Sequence, residues 1–233
     1  MLSISRLPIK GFIETSFVDW PGKICSVIFF SKCNFRCRYC HNADLVLRAD
    51  AFENIGFDVI MKYISCQKGW IDGVCVSGGE PTLHPSLPLV LAALKDAGFL
   101  TKLDTNGSNP DVLQSVIDEH LVDYIAMDIK ASLNEPSYCS ITQADNMLES
   151  VKRSLRIIID SKVQHEFRCT VLPSYHGPEE IIDIARQLNG AHRLKIQNFN
   201  PARTLDPELK SHQPYSEEMI AHIQQQVNDI ICM

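Results

Sequence analysis

The sequence predicts an α/β fold, a parallel sheet wound into a barrel or partial barrel of six β–α units. Two observations carry this expectation. Strand-like and helix-like segments alternate six times along the 233 residues, and such alternation implies parallel strands joined by right-handed crossovers. The unusual polar residues and cysteines fall at the carboxyl ends of the strand-like segments, where ligands gather in parallel α/β folds.

The elements follow in order. Ile24–Phe30 (ICSVIFF) reads as a buried first strand. A cysteine-rich loop follows, then a helix around Phe57–Gln67. Gly73–Val76 is a short second strand ending in Ser77-Gly78-Gly79-Glu80-Pro81. Ser86 is placed to cap a helix that Gly98 stops. Leu100–Asp104 is the third strand and ends in Thr105-Asn106-Gly107. Asn109-Pro110 reads as a cap followed by proline in the first turn of a helix reaching about His120. Tyr124–Ile129 is the fourth strand, and Asp145 is placed to cap a helix running through Asp160. His165–Val171 is the fifth strand, and Gly177-Pro178 opens a helix that ends near Gly190. Leu194–Phe199 is the sixth strand. Ser216 caps a last helix with Glu217 and Glu218 in its first turn, at the positive end of the helix dipole. No linker or low-complexity segment divides the chain. Residues 1–233 are therefore expected as one domain, with 1–23 an N-terminal extension, 24–200 the barrel core and 201–233 a C-terminal extension and helix.

Composition narrows the function classes. A hydrophobic share of 45% and a charged share of 21% suit a globular chain. The net charge of −6 gives no global field for nucleic acid or an anionic membrane. No apolar run approaches the ~18 residues that span a bilayer, and the N-terminus lacks the apolar core of a signal peptide. A cytoplasmic protein with no nucleic-acid or membrane partner is expected. Nine cysteines could suggest disulfides, but six of them (Cys25, Cys66, Cys75, Cys139, Cys169 and Cys232) are scattered with no CxxC pair. They read as small core hydrophobes in a reducing compartment, and provide no second iron–sulfur site.

The other three cysteines share one loop, Cys33-Asn34-Phe35-Arg36-Cys37-Arg38-Tyr39-Cys40-His41-Asn42. Cys33, Cys37, Cys40 and His41 could make a Cys3His zinc site. However, Cys40 and His41 are adjacent, and zinc sites usually draw ligands from two separated pairs. Three cysteines at x3 and x2 spacing suit a four-iron cluster better. Three thiolates hold three corners of such a cluster and leave the fourth iron open to a non-protein ligand.

On these residues the chain resembles the radical S-adenosylmethionine (SAM) enzymes. The CxxxCxxC loop after a first strand, with Tyr39 before the third cysteine, is their signature. The resemblance implies a partial (β/α)6 TIM-like barrel and one [4Fe–4S] cluster on Cys33, Cys37 and Cys40. It implies that SAM chelates the open iron and is cleaved reductively to a radical that abstracts hydrogen. Gly78-Gly79-Glu80-Pro81 is similar to the family's GGEP segment, which meets the methionyl amino group. Asp104, Thr105 and Asn106 resemble the DTNG segment of the activating enzymes of glycyl-radical enzymes. Met127, Asp128 and Lys130 resemble their DxK segment. In that group these two loops bracket the cofactor, and the resemblance allows for a monovalent cation there. Aspartate and asparagine at strand ends also commonly just cap turns. Arg168 matches a cofactor-contacting arginine, though a surface strand arginine is the plain alternative. Gln197–Asn200 occupies the place where the group meets adenine.

Further segments narrow the resemblance. Cys40-His41-Asn42 continues the loop as CHN, which is typical of glycyl-radical activases. Val18-Asp19-Trp20-Pro21-Gly22 resembles their VDGPG segment, with Trp20 where formate-lyase activases have glycine. With Pro21-Gly22-Lys23-Ile24 it is most similar to the activating proteins of anaerobic ribonucleoside-triphosphate reductase. No cysteine-rich insertion separates Cys40 from Gly78, unlike the two-cluster activases. The expected protein substrate is thus a glycyl-radical enzyme, most like that reductase, with pyruvate formate-lyase or another glycyl-radical enzyme as the alternative. Asp19 could seat the substrate loop or serve as an ordinary turn residue. A flavodoxin or ferredoxin is the expected electron donor, and Lys32, Arg36 and Arg38 either steer it or form a solvated charged loop. The rival readings are a radical SAM enzyme acting on a small molecule and a zinc-binding module.

Overall fold

A computed structural model of the chain describes residues 7–231. Seven strands form one open sheet in sequence order: β1 (Ile9–Ser16), β2 (Cys25–Phe30), β3 (Gly73–Gly78), β4 (Leu100–Thr105), β5 (Tyr124–Asp128), β6 (Gln164–Val171) and β7 (Leu194–Asn198). The six strands from β2 to β7 are parallel, as the alternation requires, and their registers place Val27 beside Cys75 and Asp128 beside Arg168. β1 runs antiparallel to β2. It occupies the segment expected to lie outside the sheet. Its sequence IKGFIETS contains Gly11 and reads weakly as a strand, but Gly11 lets the Phe29 ring pack where a Cβ would stand, at 3.2 Å.

Among the described residues eight α-helices accompany the sheet: α1 (Ala43–Leu47), α2 (Phe57–Cys66), α3 (Leu87–Asp96), α4 (Pro110–Asp118), α5 (Glu135–Thr142), α6 (Leu148–Asp160), α7 (Pro178–Gln187) and α8 (Glu217–Ile231). α6 shows why such segments are helical: Leu148, Val151, Leu155 and Ile158 recur at three- and four-residue intervals and are buried on one face. Ser216 caps α8 as expected, accepting from Met219 N at 3.2 Å. Three other expected caps differ. Ser86 makes no capping bond. The Asn109 side chain donates instead to Thr82 O at 2.9 Å. Met147 stands at the cap of α6, while Asp145 accepts from Cys139 Sγ at 3.0 Å. α1 and α5 escape a reading by periodicity because one is five residues long and the other (EPSYCSIT) has no apolar stripe.

Two apolar cores result. The larger lies between the sheet and the helices. The smaller gathers Trp20, Cys25, Val27, Cys75, Tyr124 and Ala126 on the other, inner face of the strands. Of the scattered cysteines, Cys25, Cys75 and Cys169 are buried as expected, whereas Cys66 is exposed and Cys139 is only partly covered. Cys232 lies outside the described residues. Among the described residues no helix is long and apolar enough to cross a membrane.

Candidate active site

The site starts where the chain leaves β2. Lys32 takes a left-handed conformation, φ 66°, which is costly for a residue with a Cβ. It is held there because its N–H donates to Leu45 O at 2.9 Å and its carbonyl accepts from Glu80 N at 2.8 Å. The cysteine loop then folds back on itself. Cys40 N donates to Cys37 O at 2.9 Å, and Phe35 N donates to Cys33 Sγ at 3.3 Å. Arg36 braces the loop from within, its guanidinium donating to Cys33 O (2.6 Å) and Phe35 O (2.8 Å). Arg38 clamps it to the C-terminal segment through Asp206 and Glu208, and bonds Tyr175 after β6. Two of the three basic residues are therefore structural, and only Lys32 is exposed.

The paired glycines serve the loop as much as any ligand. Gly78 has φ +123°, and a Cβ there would meet Phe30 O at 2.2 Å. At Gly79 it would meet Lys32 O at 1.8 Å. Only glycine lets the β3 loop run against the root of the cysteine loop. Asn42 completes the join, donating to Gly78 O at 2.8 Å. Glu80, by contrast, lies beneath the site, with none of its surface exposed. Its carboxylate accepts from Thr82 N (3.1 Å), Thr82 Oγ1 (2.5 Å), Thr105 Oγ1 (2.8 Å) and Asn106 N (2.6 Å). It thus ties the β3 loop to the β4 loop. Burial pushes this carboxyl above its ordinary value, against the opposing effect of these hydrogen bonds.

Above Glu80 the polar residues form a connected wall. Arg168 donates to Asp128 Oδ1 at 2.9 Å and to Asp104 Oδ2 at 3.3 Å. Lys130 Nζ is 2.9 Å from Asp128 Oδ2. Ser77 Oγ donates to Asp104 Oδ2 at 3.0 Å, and Lys102 Nζ pairs with Asp104 Oδ1. Burial alone would raise the two carboxyls, but the adjacent cations outweigh it and hold both below the ordinary carboxylate value. Asn106 reaches the cysteine loop, donating to Asn34 Oδ1 at 3.0 Å with its amide nitrogen 3.7 Å from Cys33 Sγ. Tyr39 Oη donates to Lys130 O at 3.3 Å.

Residues at the carboxyl ends of all six parallel strands line one cavity of about 310 Å³, large enough for a small cofactor. It brings together Cys33, Cys37, Cys40, Tyr39, Gly78, Gly79, Asp104, Thr105, Asn106, Asp128, Lys130 and Arg168. Among the candidates from the cysteine loop to Arg168, Glu80 does not line it. Of Gln197–Asn200, Gln197 lines the cavity, while Asn198 bonds the backbone of Tyr215. Asp19 also lines it, held by Ser16 Oγ at 2.5 Å. Sequence reasoning missed His176, which is fully buried and bonds Lys130 O at 2.8 Å through Nε2 while Nδ1 accepts from Leu172 N. Burial holds its imidazole below the ordinary pKa. A lone histidine before Gly177-Pro178 carries no signal of that role.

The donor set fits a four-iron cluster. Burial pushes the Cys33 thiol up to about 11 and Cys37 up to about 12, and raises Cys40. Loading a metal group on them must therefore release protons. Among the described residues no three His, Cys, Asp or Glu side chains are gathered tightly enough for a single ion. The three cysteines nevertheless share one wall, as the wider span of a cube requires.

Comparison with known proteins agrees with this geometry. Residues 27–188 match the Radical SAM superfamily. A Methanocaldococcus jannaschii protein assigned by inference to the glycyl-radical enzyme activating enzymes is 33% identical over 87% of this chain and 84% of its own. The pyruvate formate-lyase-activating enzyme of Clostridium pasteurianum is 27% identical over 82% of each chain. The same enzyme of Staphylococcus aureus is 29% identical over 84% of this chain and 83% of its own. Among solved structures, a radical SAM methyltransferase of Sphaerobacter thermophilus shares the fold at TM-score 0.69 and 14% identity, over 93% of this chain and 66% of that one. The chain belongs to the radical SAM superfamily, whose cofactors are a [4Fe–4S] cluster and SAM, and within it is homologous to the activating enzymes of glycyl-radical enzymes.

Proposed function

We propose that this protein generates a glycyl radical on anaerobic ribonucleoside-triphosphate reductase. The observation that carries the activase reading is the single cavity in which the three cysteines meet the β3, β4 and β5 loops. Cys33, Cys37 and Cys40 would hold three irons and leave one for SAM. When bound, cluster and SAM together supply a carbon-centred radical that abstracts hydrogen. The protein's own residues bind, orient and exclude water. Gly78 and Gly79 hold the cysteine loop close to the cofactor, and Asp104, Thr105, Asn106, Asp128, Lys130 and Arg168 form the polar wall against it. Glu80 acts as a positioning residue, because it fixes the β3 and β4 loops from below. A reduced flavodoxin or ferredoxin supplies the electron.

A protein substrate suits the mouth of the cavity. Asp19 lines it, and the preceding Phe17 and Val18 stand 68% and 82% exposed, an apolar pair beside a polar entrance. Glycine is a fitting target because its Cα radical is stabilised by both flanking amides and its backbone can enter a narrow opening. The reductase is favoured by the resemblance of Val18-Asp19-Trp20-Pro21-Gly22, with Trp20 where formate-lyase activases have glycine. The formate-lyase-activating relatives favour a second reading, with pyruvate formate-lyase as substrate. Anaerobically reconstituted protein, reduced and mixed with SAM, is expected to give a glycyl doublet by electron paramagnetic resonance with the reductase and not with formate lyase. A doublet with formate lyase alone would reverse the assignment. No doublet with either, despite SAM cleavage to deoxyadenosine, would point to a small-molecule substrate.

A further inference from the structure

Lys102 is a charged residue on the inner face of a central strand, and none of its side chain is exposed. It lies between Cys75 on β3 and Tyr124 on β5 in the strand registers. Its ammonium is 3.7 Å from Cys75 Sγ and 5.9 Å from the centre of the Tyr124 ring. Burying an ammonium costs several kcal/mol unless it is paired, and its partner is Asp104, one of the two carboxylates of the cavity wall.

The side-chain oxygens of Asp104, Asp128 and Thr105, the segments on which the resemblance allows for a small cation, are already engaged. Asp104 gives Oδ1 to Lys102 and Oδ2 to Ser77 and Arg168. Asp128 gives Oδ1 to Arg168 and Oδ2 to Lys130. The Thr105 hydroxyl donates to Glu80 at 2.8 Å and accepts from Gly107 N at 3.1 Å. Charge points the same way, since two carboxylates face three fixed cations, Lys102, Arg168 and Lys130. Around Asp104 and Asp128 the cations outnumber the carboxylates before any ion arrives, while Asp19, the further carboxylate of the lining, is bonded to Ser16; this local excess disfavours a further cation between the two.

We propose that the Lys102 ammonium is a resident cation of the SAM site and takes the place that the family resemblance allowed for a monovalent metal ion. The inference rests on reading the cavity as the SAM site. It makes cofactor binding indifferent to sodium and potassium. Replacing the ammonium by a neutral side chain leaves Asp104 Oδ1 unpaired in a buried site and creates a demand for such an ion.

Calorimetric titration of SAM into the anaerobically reconstituted, unreduced protein tests this, in sodium, potassium and choline chloride at equal ionic strength. The wild type is expected to bind within about twofold in all three, because screening is matched. Lys102→Met is expected to bind at least about tenfold more weakly in choline, with most of the loss recovered in sodium or potassium. Wild-type affinity that collapses in choline would overturn the inference, and that arm does not depend on the variant folding. A folded Lys102→Met protein that binds SAM as the wild type does in choline would overturn it equally. Absence of SAM binding in every salt would overturn the assignment of the cavity itself, and the inference with it.

Discussion

Glu80 shows how a family motif can mislead about the part a side chain plays. The segment Gly78-Gly79-Glu80-Pro81 marks a cofactor loop, yet the carboxylate points down and accepts four hydrogen bonds from Thr82, Thr105 and Asn106. Replacing Glu80 by alanine strands these donors, at about 1–3 kcal/mol each where burial persists. Glu80→Ala is therefore expected to lower unfolding stability by about 3 kcal/mol or more, measured by chemical denaturation of the apo-protein. SAM affinity should fall with it, because the β4 loop loses its anchor. Glu80→Gln should recover part of the loss, since its oxygen can keep the three bonds to Thr82 and Thr105 while its amide turns N–H toward the Asn106 N–H. A stable Glu80→Ala protein would mean that the carboxylate contacts ligand instead of framework. Spacing singled out the three cysteines, and the family resemblance singled out the glycines and the Asp104–Asn106 segment; the structure gathers them around one cavity. The role of Glu80 was not legible, because a carboxylate that binds a ligand and one that binds two loops read alike in one dimension. His176 and Asn42 are further cases, since their contacts with the carbonyls of Lys130 and Gly78 join residues far apart in the chain.

At the scale of elements, the six parallel strands were legible because continuous apolar runs such as CSVIFF and YIAM end in polar residues, Ser31-Lys32 and Asp128. β1 was not, because only Ile9 and Ser16 of its eight residues are buried and it pairs with β2 alone among the described strands. The floor of the inner face is also an outcome of tertiary packing. Trp20 leaves the β1–β2 connection, is only 4% exposed, and would touch a Cβ on Gly73 at 2.8 Å. Glycine at the start of β3 is thus what the indole requires. Trp20→Ala is expected to cost about 3–5 kcal/mol, read from the denaturation midpoint, and to quench the buried component of tryptophan fluorescence. The other tryptophan, Trp70, is exposed, so the two contributions separate by emission wavelength. An unchanged midpoint would mean that the floor closes without the indole.

At the scale of the whole molecule, the charged wall sets a pH window. Asp104 and Asp128 lie below their ordinary value of 3.8, so their contribution to stability is present above it and is lost as pH falls toward the depressed values. Lys102 and Lys130 lie above their ordinary value of 10.5, so their contribution is complete below it and is lost only as pH rises beyond it. The network should therefore contribute a constant amount across the neutral range. Circular dichroism of the apo-protein is expected to show acid unfolding starting below roughly pH 4, and Asp128→Asn should flatten that limb. A midpoint near neutrality would implicate the buried histidines instead.

The clamp between Arg38 and Asp206 has a consequence for biosynthesis. Strand order in the sheet follows chain order, so the cysteine loop is synthesised directly after the first hairpin. The segment that latches onto it, through Asp206 N to Arg38 O at 2.8 Å and the Arg38 side chain, is translated last but for one helix. At typical elongation rates the interval is on the order of ten seconds. During it the three thiols lack the contacts by which Asp206 holds their loop.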